Sequence, residues 1–268
     1  MTARVLVTND DGIDAPGLRV LATTALDLGL DVVVAAPAVQ FSGSGASIVA
    51  GLEDRDRIAL ERRPLDGLDD LPAYAVGAAP GLIALIAAYG AFGDRPDVVL
   101  SGINHGANVG RAILHSGTVG AALTAGINGA RGLAVSLDVG LAAEFGLERP
   151  SADPRWATAA GVVARVVPVL LEQRPGTVLN LNVPDREPDE VGDLRAAPLA
   201  EFGIVQTTMT EHTDEHIRIS VADLSDPPAP GTDAALLAGG HAVVTALRSV
   251  SETDSPALAA LAGATARE

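Results

Sequence analysis

The 268-residue sequence contains no cysteine, and only 3% of its residues are aromatic. The missing cysteine excludes disulfides, thiolate catalysis and cysteine-ligated zinc. Basic residues are also scarce, 18 against 34 acidic ones, which gives a formal net charge of −16. Such a charge repels a nucleic-acid backbone, so a nucleic-acid polymer is not an expected partner. A small phosphorylated substrate stays compatible, because a metal ion and backbone amides can supply local positive potential.

Long hydrophobic runs are absent too, since none approaches the roughly 18 residues that span a bilayer. The first residues also lack the basic and then apolar pattern of a signal segment. We therefore expect a cytoplasmic protein without a membrane partner. The hydrophobic content of 48% suffices for a large core, which aliphatic side chains must fill because aromatics are rare. The length suits one large α/β domain, with or without an appendage.

Strand and helix patterns alternate along the first two thirds of the chain. Continuous aliphatic runs are typical of strands buried on both faces, and helical periodicity fills the intervals. The predicted strands cover residues 5–7, 31–36, 97–101, 132–136 and 177–183, with shorter ones near 58–61 and 74–76. The predicted helices cover residues 18–26, 80–89, 118–128 and 156–171. This alternation predicts an α/β fold with a Rossmann-like, mostly parallel sheet flanked by helices, and we assign residues 1–184 to it.

The pattern changes after residue 185. Residues 207–210 and 216–221 alternate in strand fashion around residues 213–215, which predicts a β-hairpin arm. Residues 241–247 predict a late core strand, and residues 255–266 a final helix or a frayed end. An arm that buries little of its own surface often packs on a second subunit. We assign residues 185–268 to an arm and oligomerisation region and expect a homodimer or homotetramer.

The opening strand runs directly into Asn9, Asp10, Asp11 and Gly12. Open α/β sheets bind ligands at the carboxyl ends of their strands. Successive side chains of a strand point to opposite faces, so both carboxylates can point the same way only if the chain turns, as Gly12 permits. Such a pair suits Mg²⁺ or Mn²⁺ rather than zinc. The alternative is a polar loop whose Asp residues favour the dipole of the following helix.

Two further loops are expected at the same edge of the sheet. Ser42 follows the second predicted strand in a loop rich in Gly and Ser, and Asn104 follows the third in S-G-I-N-H-G-A-N. Their hydroxyl and amide oxygens add to the carboxylates as ligands for a hard cation. Residues 116–118 begin the next helix, where free N–H groups and hydroxyls favour an anion. A metal beside an anion site is expected for phosphoryl-group hydrolysis.

Five blocks of this sequence, in order, resemble those of the SurE family of stationary-phase survival proteins. The blocks read VLVTNDDGIDAPGL, AAPAVQFSGSGASI, PDVVLSGINHGANVG, LHSGTVGAAL and LNLNVP, and they lie within residues 4–184. The resemblance implies a metal-dependent phosphomonoesterase that hydrolyses nucleoside 5′- and 3′-monophosphates. It further implies a Rossmann-like fold with a hairpin arm between subunits and one divalent ion, Mg²⁺ or Mn²⁺, per subunit. The implied metal ligands are Asp10, Asp11, Ser42 and Asn104.

Two departures from the family pattern qualify the resemblance. Where the family usually has G-T-P-A-D, residues 78–82 read A-A-P-G-L, so a threonine and an aspartate are lost. The arm at residues 201–221 also has few aromatic residues. Substrate preference and subunit contacts therefore carry over only weakly.

Asp10 and Asp11 are the predicted catalytic residues. They can orient an attacking water, or Asp10 can attack phosphorus itself to form an aspartyl-phosphate, and the sequence leaves both routes open. Asn9 is expected to orient the carboxylate loop. The predicted contacts to substrate or phosphate are Asn9, Gly43, Asn108, His115, Ser116, Gly117 and Thr118.

Several residues near these motifs have two readings. His105 and His115 can act as a general acid or phosphate ligand, or as loop histidines bonded to backbone. Ser44 and Gly45, like Gly43, can contact the nucleoside or simply let the loop bend. Buried amides that tie a strand end to a loop are expected at Asn180 and Asn182. A structural or solvent-facing role is expected for His212, His216 and His241.

Two other functions stay open at this point. One is a nucleotide-binding protein without turnover, although the dinucleotide fingerprint G-x-G-x-x-G is absent after the first strand. The other is a metal-dependent hydrolase of a different bond, such as a deacetylase.

Overall fold

The computed structural model of the chain describes residues 2–50, 57–140, 154–201, 205–212, 217–223, 227–253 and 255. Within 205–212 and 217–223 it describes the backbone alone. The predicted hairpin turn at residues 213–215, His216, and the predicted C-terminal helix beyond residue 255 lie outside the described residues.

The strands and helices follow the predicted order. The strands are β1 (Arg4–Thr8), β2 (Asp31–Pro37), β3 (Leu60–Arg62), β4 (Ala73–Val76), β5 (Val98–His105), β6 (Arg131–Asp138), β7 (Val178–Pro184), β8 (Gly192–Ala196), β9 (Val205–His212), β10 (Ile217–Asp223) and β11 (His241–Leu247). The α-helices are α1 (Pro16–Asp27), α2 (Pro80–Ala88), α3 (Gly117–Ile127), α4 (Trp156–Leu171) and α5 (Asp233–Ala238), and a 3₁₀ helix covers Arg111–His115.

One large sheet organises the described chain. Its nine strands lie in the order β3-β4-β2-β1-β5-β6-β7-β11-β8. Neighbours from β4 to β7 are parallel, whereas β3 and β11 run antiparallel to β4 and β7. β9 and β10 pair antiparallel as a separate two-stranded sheet. The prediction of a mostly parallel α/β sheet with a C-terminal hairpin is confirmed.

Successive side chains of β1 point to opposite faces of the sheet, and each face carries its own part of the hydrophobic core. Val5 and Val7 pack with α1 and α4, and Leu6 packs with α2 and α3. All three are fully buried. Burying such a side chain stabilises the fold by about 1.5–3 kcal/mol. The strands therefore form a rigid support for the loops at their carboxyl ends.

The structure differs from the prediction at β5, which continues through Asn104 to His105 rather than ending at Ser101. The pairing with β6 shifts register between Ser101 and Asn104, so the chain bulges and then resumes the ladder opposite Ser136. The 3₁₀ helix, β8 and α5 were not predicted either. No helix among the described residues has the length and apolarity to cross a membrane.

Candidate active site

The loops after β1, β2 and β5 meet because these three strands are neighbours in the sheet. The Phe41 N–H, in the loop after β2, donates to the Asp10 carbonyl at 2.8 Å. The His105 N–H, at the end of β5, lies 3.4 Å from Asp11 Oδ2. The predicted convergence of these three loops is present in the structure.

Asp10 is only 5% exposed and lies against the N-terminus of α3. Thr118 Oγ1 donates a 2.5 Å hydrogen bond to Asp10 Oδ1. Gly117 permits this contact, because a Cβ there would lie 2.8 Å from the Asp10 Cβ. Burial raises the pKa of Asp10 above its usual range, and hydrogen bonds from Thr118 and the Gly117 backbone offset part of the rise. The N-terminus of α3 is thus already bonded to a carboxyl group of this chain, that of Asp10.

Asp11 is half-buried beside it and has weaker partners. Gln40 Nε2 lies 3.5 Å from Asp11 Oδ1, in addition to the His105 contact. Burial, and then the charge of Asp10, raise the pKa of Asp11, while His105 lowers it. Among the described residues no arginine forms an ion pair with either carboxylate. Two neighbouring carboxylates that lack a cationic partner within the described chain favour a bound cation.

Ser42 and Asn104 bring two further oxygens to this edge. Gln40 Nε2 donates to Ser42 Oγ at 2.8 Å and so links Ser42 to Asp11. The Asn104 amide nitrogen donates to the Gly106 carbonyl at 2.8 Å, which leaves its oxygen available. The described residues contain no group of three or more His, Cys, Asp or Glu that could hold a metal. The set of two carboxylates, a hydroxyl and an amide fits a hard divalent cation rather than zinc.

The start of α3 offers fewer free groups than the sequence suggested. The hydroxyl of Thr118 is bonded to Asp10, and Ser116 Oγ caps the helix by accepting the Val119 N–H at 3.1 Å. Ser44 provides a different free group, since its Oγ is buried without a hydrogen-bond partner. A Cβ on Gly117 would lie 2.9 Å from both Ser44 Oγ and Asp10 Oδ2. The Ser44 hydroxyl is therefore an unpaired buried group beside Asp10 at this helix end.

The remaining predicted residues on these loops fall into two groups. The Asn9 amide closes the turn at Gly12, donating to its carbonyl at 2.9 Å and accepting its N–H at 3.1 Å. Gly12 has φ of 104°, which suits glycine. By contrast, Gly43, His105 and His115 are exposed. Asn9 thus shapes the carboxylate loop, whereas the other three face solvent.

Asn108 is bonded within the fold. Its N–H donates to Asn182 Oδ1, and its carbonyl accepts from the amides of Asn180 and Asn182, each at 2.8 Å. Its own amide nitrogen donates to Ser136 Oγ at 2.9 Å. The structure thus directs the Asn108 amide nitrogen to β6. Asn180 and Asn182 tie β7 to the loop, in the arrangement expected from the sequence.

The altered residues 78–82 contact the loop that carries Ser42. Ala79, which precedes α2, donates its N–H to the Val49 carbonyl at 3.0 Å. A Cβ on Gly81 would lie 2.8 Å from the Ser47 carbonyl. This block therefore supports the loop after β2 through its backbone. Of the later histidines, His241 has a buried Nδ1 without a partner, and the side chains of His212 and His216 lie outside the described residues.

Sequence reasoning missed two residues that organise this region. Gln40 precedes Ser42 by two positions. Because side chains two positions apart lie on the same face of an extended segment, this spacing could have indicated that Gln40 contacts Ser42. Asp233 has no local signal, because it bonds residues 33 and 123 positions away.

The fold and the site together define an α/β protein with a Rossmann-like sheet and a cluster of oxygen donors at its carboxyl edge. The chain belongs to the SurE family, since the family profile described as survival protein SurE matches residues 5–205. The family resemblance predicted from the sequence is confirmed.

Relatives match the chain almost end to end. The protein named 5′-nucleotidase SurE from Rhizorhabdus wittichii is 33% identical over 96% of this chain and 97% of its own length. The protein of the same name from Methanopyrus kandleri is 37% identical over 91% and 90%. The crystal structure of the SurE protein from Aquifex aeolicus, 28% identical, superposes with a TM-score of 0.71 over 91% of this chain and 93% of that one.

Proposed function

We propose that this protein is a 5′-nucleotidase, a metal-dependent phosphomonoesterase that releases phosphate from nucleoside 5′-monophosphates and also from 3′-monophosphates. The observation that carries the proposal is the pair of neighbouring carboxylates, buried Asp10 and half-buried Asp11, which lack a cationic partner among the described residues. Asp10 lies at the N-terminus of α3. The names of the relatives from Rhizorhabdus and Methanopyrus support the same activity.

In this proposal Asp10, Asp11, Ser42 and Asn104 hold one divalent ion, Mg²⁺ or Mn²⁺. Their oxygens are the ligands these ions prefer. When bound, such an ion polarises the phosphate and stabilises charge on the transferring phosphoryl group.

The chain positions the substrate and the attacking water around these ligands. The Ser116 hydroxyl, at the start of α3, binds a phosphate oxygen, whereas the Gly117 backbone and the Thr118 hydroxyl are bonded to Asp10. The unpaired hydroxyl of Ser44 lies beside them. A water oriented by Asp11 attacks phosphorus and gives up a proton, the ester P–O bond breaks, and the leaving oxygen takes up a proton, so that nucleoside and inorganic phosphate are released. Asp10 is buried and bonded to Thr118, which favours a holding role over direct attack on phosphorus.

Phosphate release from a panel of 5′- and 3′-mononucleotides, with Mg²⁺, Mn²⁺ or EDTA, tests the proposal. We expect metal-dependent turnover in the wild type and a loss of more than about 100-fold in Asp11→Asn, because ligand loss should exceed the effect of losing a supporting residue. Asp14→Asn is the matched control. Asp14 lies on the same loop but is exposed and paired with Arg63 at 3.1 Å, so its loss should leave turnover unchanged.

No turnover from a folded wild type that still binds nucleotide would instead establish binding without catalysis.

Two other properties, the oligomeric state and the cytoplasmic location, stay predictions. The hairpin of β9 and β10 has no further strand partner in the described chain, and such edges favour pairing with another subunit. Light scattering of the purified protein distinguishes a homodimer or homotetramer from a monomer, and fractionation tests the cytoplasmic location.

A further inference from the structure

Asp233 is a fully buried carboxyl group outside the site described above. Its Oδ1 accepts the N–H groups of Ala200 at 2.7 Å and Ala234 at 2.8 Å. Its Oδ2 accepts the N–H of Gly110 at 2.9 Å. Hydrogen bonds from backbone N–H to a carboxylate are stronger than those between neutral groups. Asp233 therefore joins the start of α5, the segment after β8 and the glycine-rich loop after β5.

Gly110 occupies the middle of the segment that runs from Asn104 to Ser116. It is the residue before the 3₁₀ helix, and the next N–H, of Arg111, donates to the Ala200 carbonyl at 3.1 Å. At the other end of that helix the His115 carbonyl accepts the Gly45 N–H at 3.0 Å. A displacement at Gly110 would therefore move the 3₁₀ helix and, through the bond between His115 and Gly45, the loop that carries the proposed metal ligand Ser42.

We propose that Asp233 is a positioning residue for the nucleotidase site. By fixing Gly110, it holds Ser116 and the loop that carries Ser42 at the correct distance from Asp10. This inference rests on the proposed function and deepens it. The bonds of Asp233 to Ala200 and Ala234 stay within the C-terminal part of the chain. Only its bond to Gly110 reaches the loop after β5, which leads to the site.

The variant Asp233→Asn separates these bonds. Because two N–H groups converge on Oδ1, the amide keeps its oxygen there and turns its NH₂ toward the Gly110 N–H, where two donors then face each other. Thr232→Ala is the matched control. Thr232 caps α5 through the Ala235 N–H, so its loss weakens the same helix and leaves the Gly110 bond intact.

Three measurements are made on full-length protein, and kcat and hydrogen exchange are measured well below the melting temperature of the variant. Per folded molecule, kcat should fall roughly 10- to 100-fold in Asp233→Asn, the effect of losing a residue that orients a ligand, with little change in KM. The rise in melting temperature with Mn²⁺ alone should shrink, and amide hydrogen exchange across residues 106–116 should accelerate. Thr232→Ala should lower the melting temperature and leave all three readouts at wild-type values.

Wild-type kcat, Mn²⁺ response and exchange in Asp233→Asn would overturn the inference, as would equal changes in Thr232→Ala. Should Asp233→Asn fail to fold, Asp233→Glu keeps the charge and displaces the acceptor oxygens, and its exchange across residues 106–116 decides the question. A wild type that releases no phosphate would refute the proposed function, whereas the exchange and Mn²⁺ measurements would still test the positioning by Asp233.

Discussion

Two neighbouring parts of the carboxyl edge are bonded in opposite ways. Around Asp11 and Ser44 partners are few: contacts to the Asp11 carboxylate measure 3.4–3.5 Å, and the Ser44 hydroxyl has none. In the loop of residues 106–110, the backbone and side chain of Asn108 are bonded to β6 and β7, and Asp233 holds Gly110.

This contrast separates groups that are available to a ligand from groups that hold the structure. Buried polar groups are normally paired, so unpaired ones indicate a ligand or a strained site. The carboxylate region keeps its binding capacity at the expense of stability, as functional sites commonly do. The glycine-rich loop instead supplies rigidity. Substitutions beside the carboxylates should therefore affect catalysis, and those of the amides that bond Asn108 should affect stability. Asp233 bonds the site loop at Gly110 and is expected to affect catalysis as well.

Among residues that support the carboxylates, the largest effect is expected where α3 meets Asp10, in Thr118→Val. Removing the hydroxyl takes away the strongest hydrogen bond that lowers the pKa of Asp10, so that pKa rises further. We expect kcat/KM to fall about 10- to 100-fold, and the acid limb of the pH–rate profile to move to higher pH.

Thr124→Val is the control for this change, because Thr124 lies in the same helix and donates only to the Gly120 carbonyl. It should keep wild-type kinetics. If Thr118 contacted phosphate directly instead, its loss would weaken inhibition by inorganic phosphate and leave the Mn²⁺-induced thermal shift unchanged, which would contradict this assignment.

The sequence was sufficient for most of the fold where the signal is local. Residues 156–171 and 241–247 were predicted with the bounds that α4 and β11 have, because long apolar periodicity and β-branched runs report burial directly. α5 has six residues, too few for a periodic pattern. β8 has no buried residue and is specified by its pairing with β11, which local sequence does not show.

In the candidate site, too, local features could be predicted from the sequence and long-range contacts could not. The three loops could be placed because each follows a strand whose position in a parallel sheet is fixed by topology. The partner of each side chain could not be predicted: Thr118 bonds a residue 108 positions away, and Asp233 one 123 positions away. Such choices depend on the packing of α3 and α5 against the sheet. The sequence therefore indicates which residues meet, but not which of them bond each other.

An intermediate effect, on stability, is expected from Asn182→Ala in β7, because Asn182 bonds Asn108 of the glycine-rich loop. The change leaves the Asn108 N–H without its acceptor and should lower the free energy of unfolding by about 2 kcal/mol. That corresponds to roughly 4–8 °C in melting temperature for a chain of this size. Asn180→Ala is the matched comparison, because the Asn108 carbonyl keeps its bond from Asn182. Thermal unfolding should rank Asn182→Ala as the more destabilising; equal losses would contradict the assigned bonds.

The smallest effect sharpens the comparison most, because Asp11→Asn should stabilise the protein in the absence of metal. Burial raises the pKa of Asp11 above 3.8, so the folded state binds this proton more tightly than the unfolded state. The wild type therefore loses stability as the pH rises from about 3.8 through the folded-state pKa, and the deficit persists above it. Asparagine does not ionise, so the variant escapes this loss.

Metal-free melting temperatures of wild type and Asp11→Asn should therefore agree at acid pH and diverge as pH rises. At pH 8 we expect the melting temperature of the variant to be higher by about 1–3 °C, a shift typical of removing one destabilising charge from a chain of this size. Adding Mn²⁺ at pH 8 should reverse the order, because only the wild type keeps both carboxylates as ligands. Asp14→Asn, the exposed control, should show no such divergence. A metal-free melting temperature of Asp11→Asn below that of the wild type at pH 8 would mean that the ionised Asp11 stabilises the fold. The carboxylate region would then not differ from the glycine-rich loop in its effect on stability.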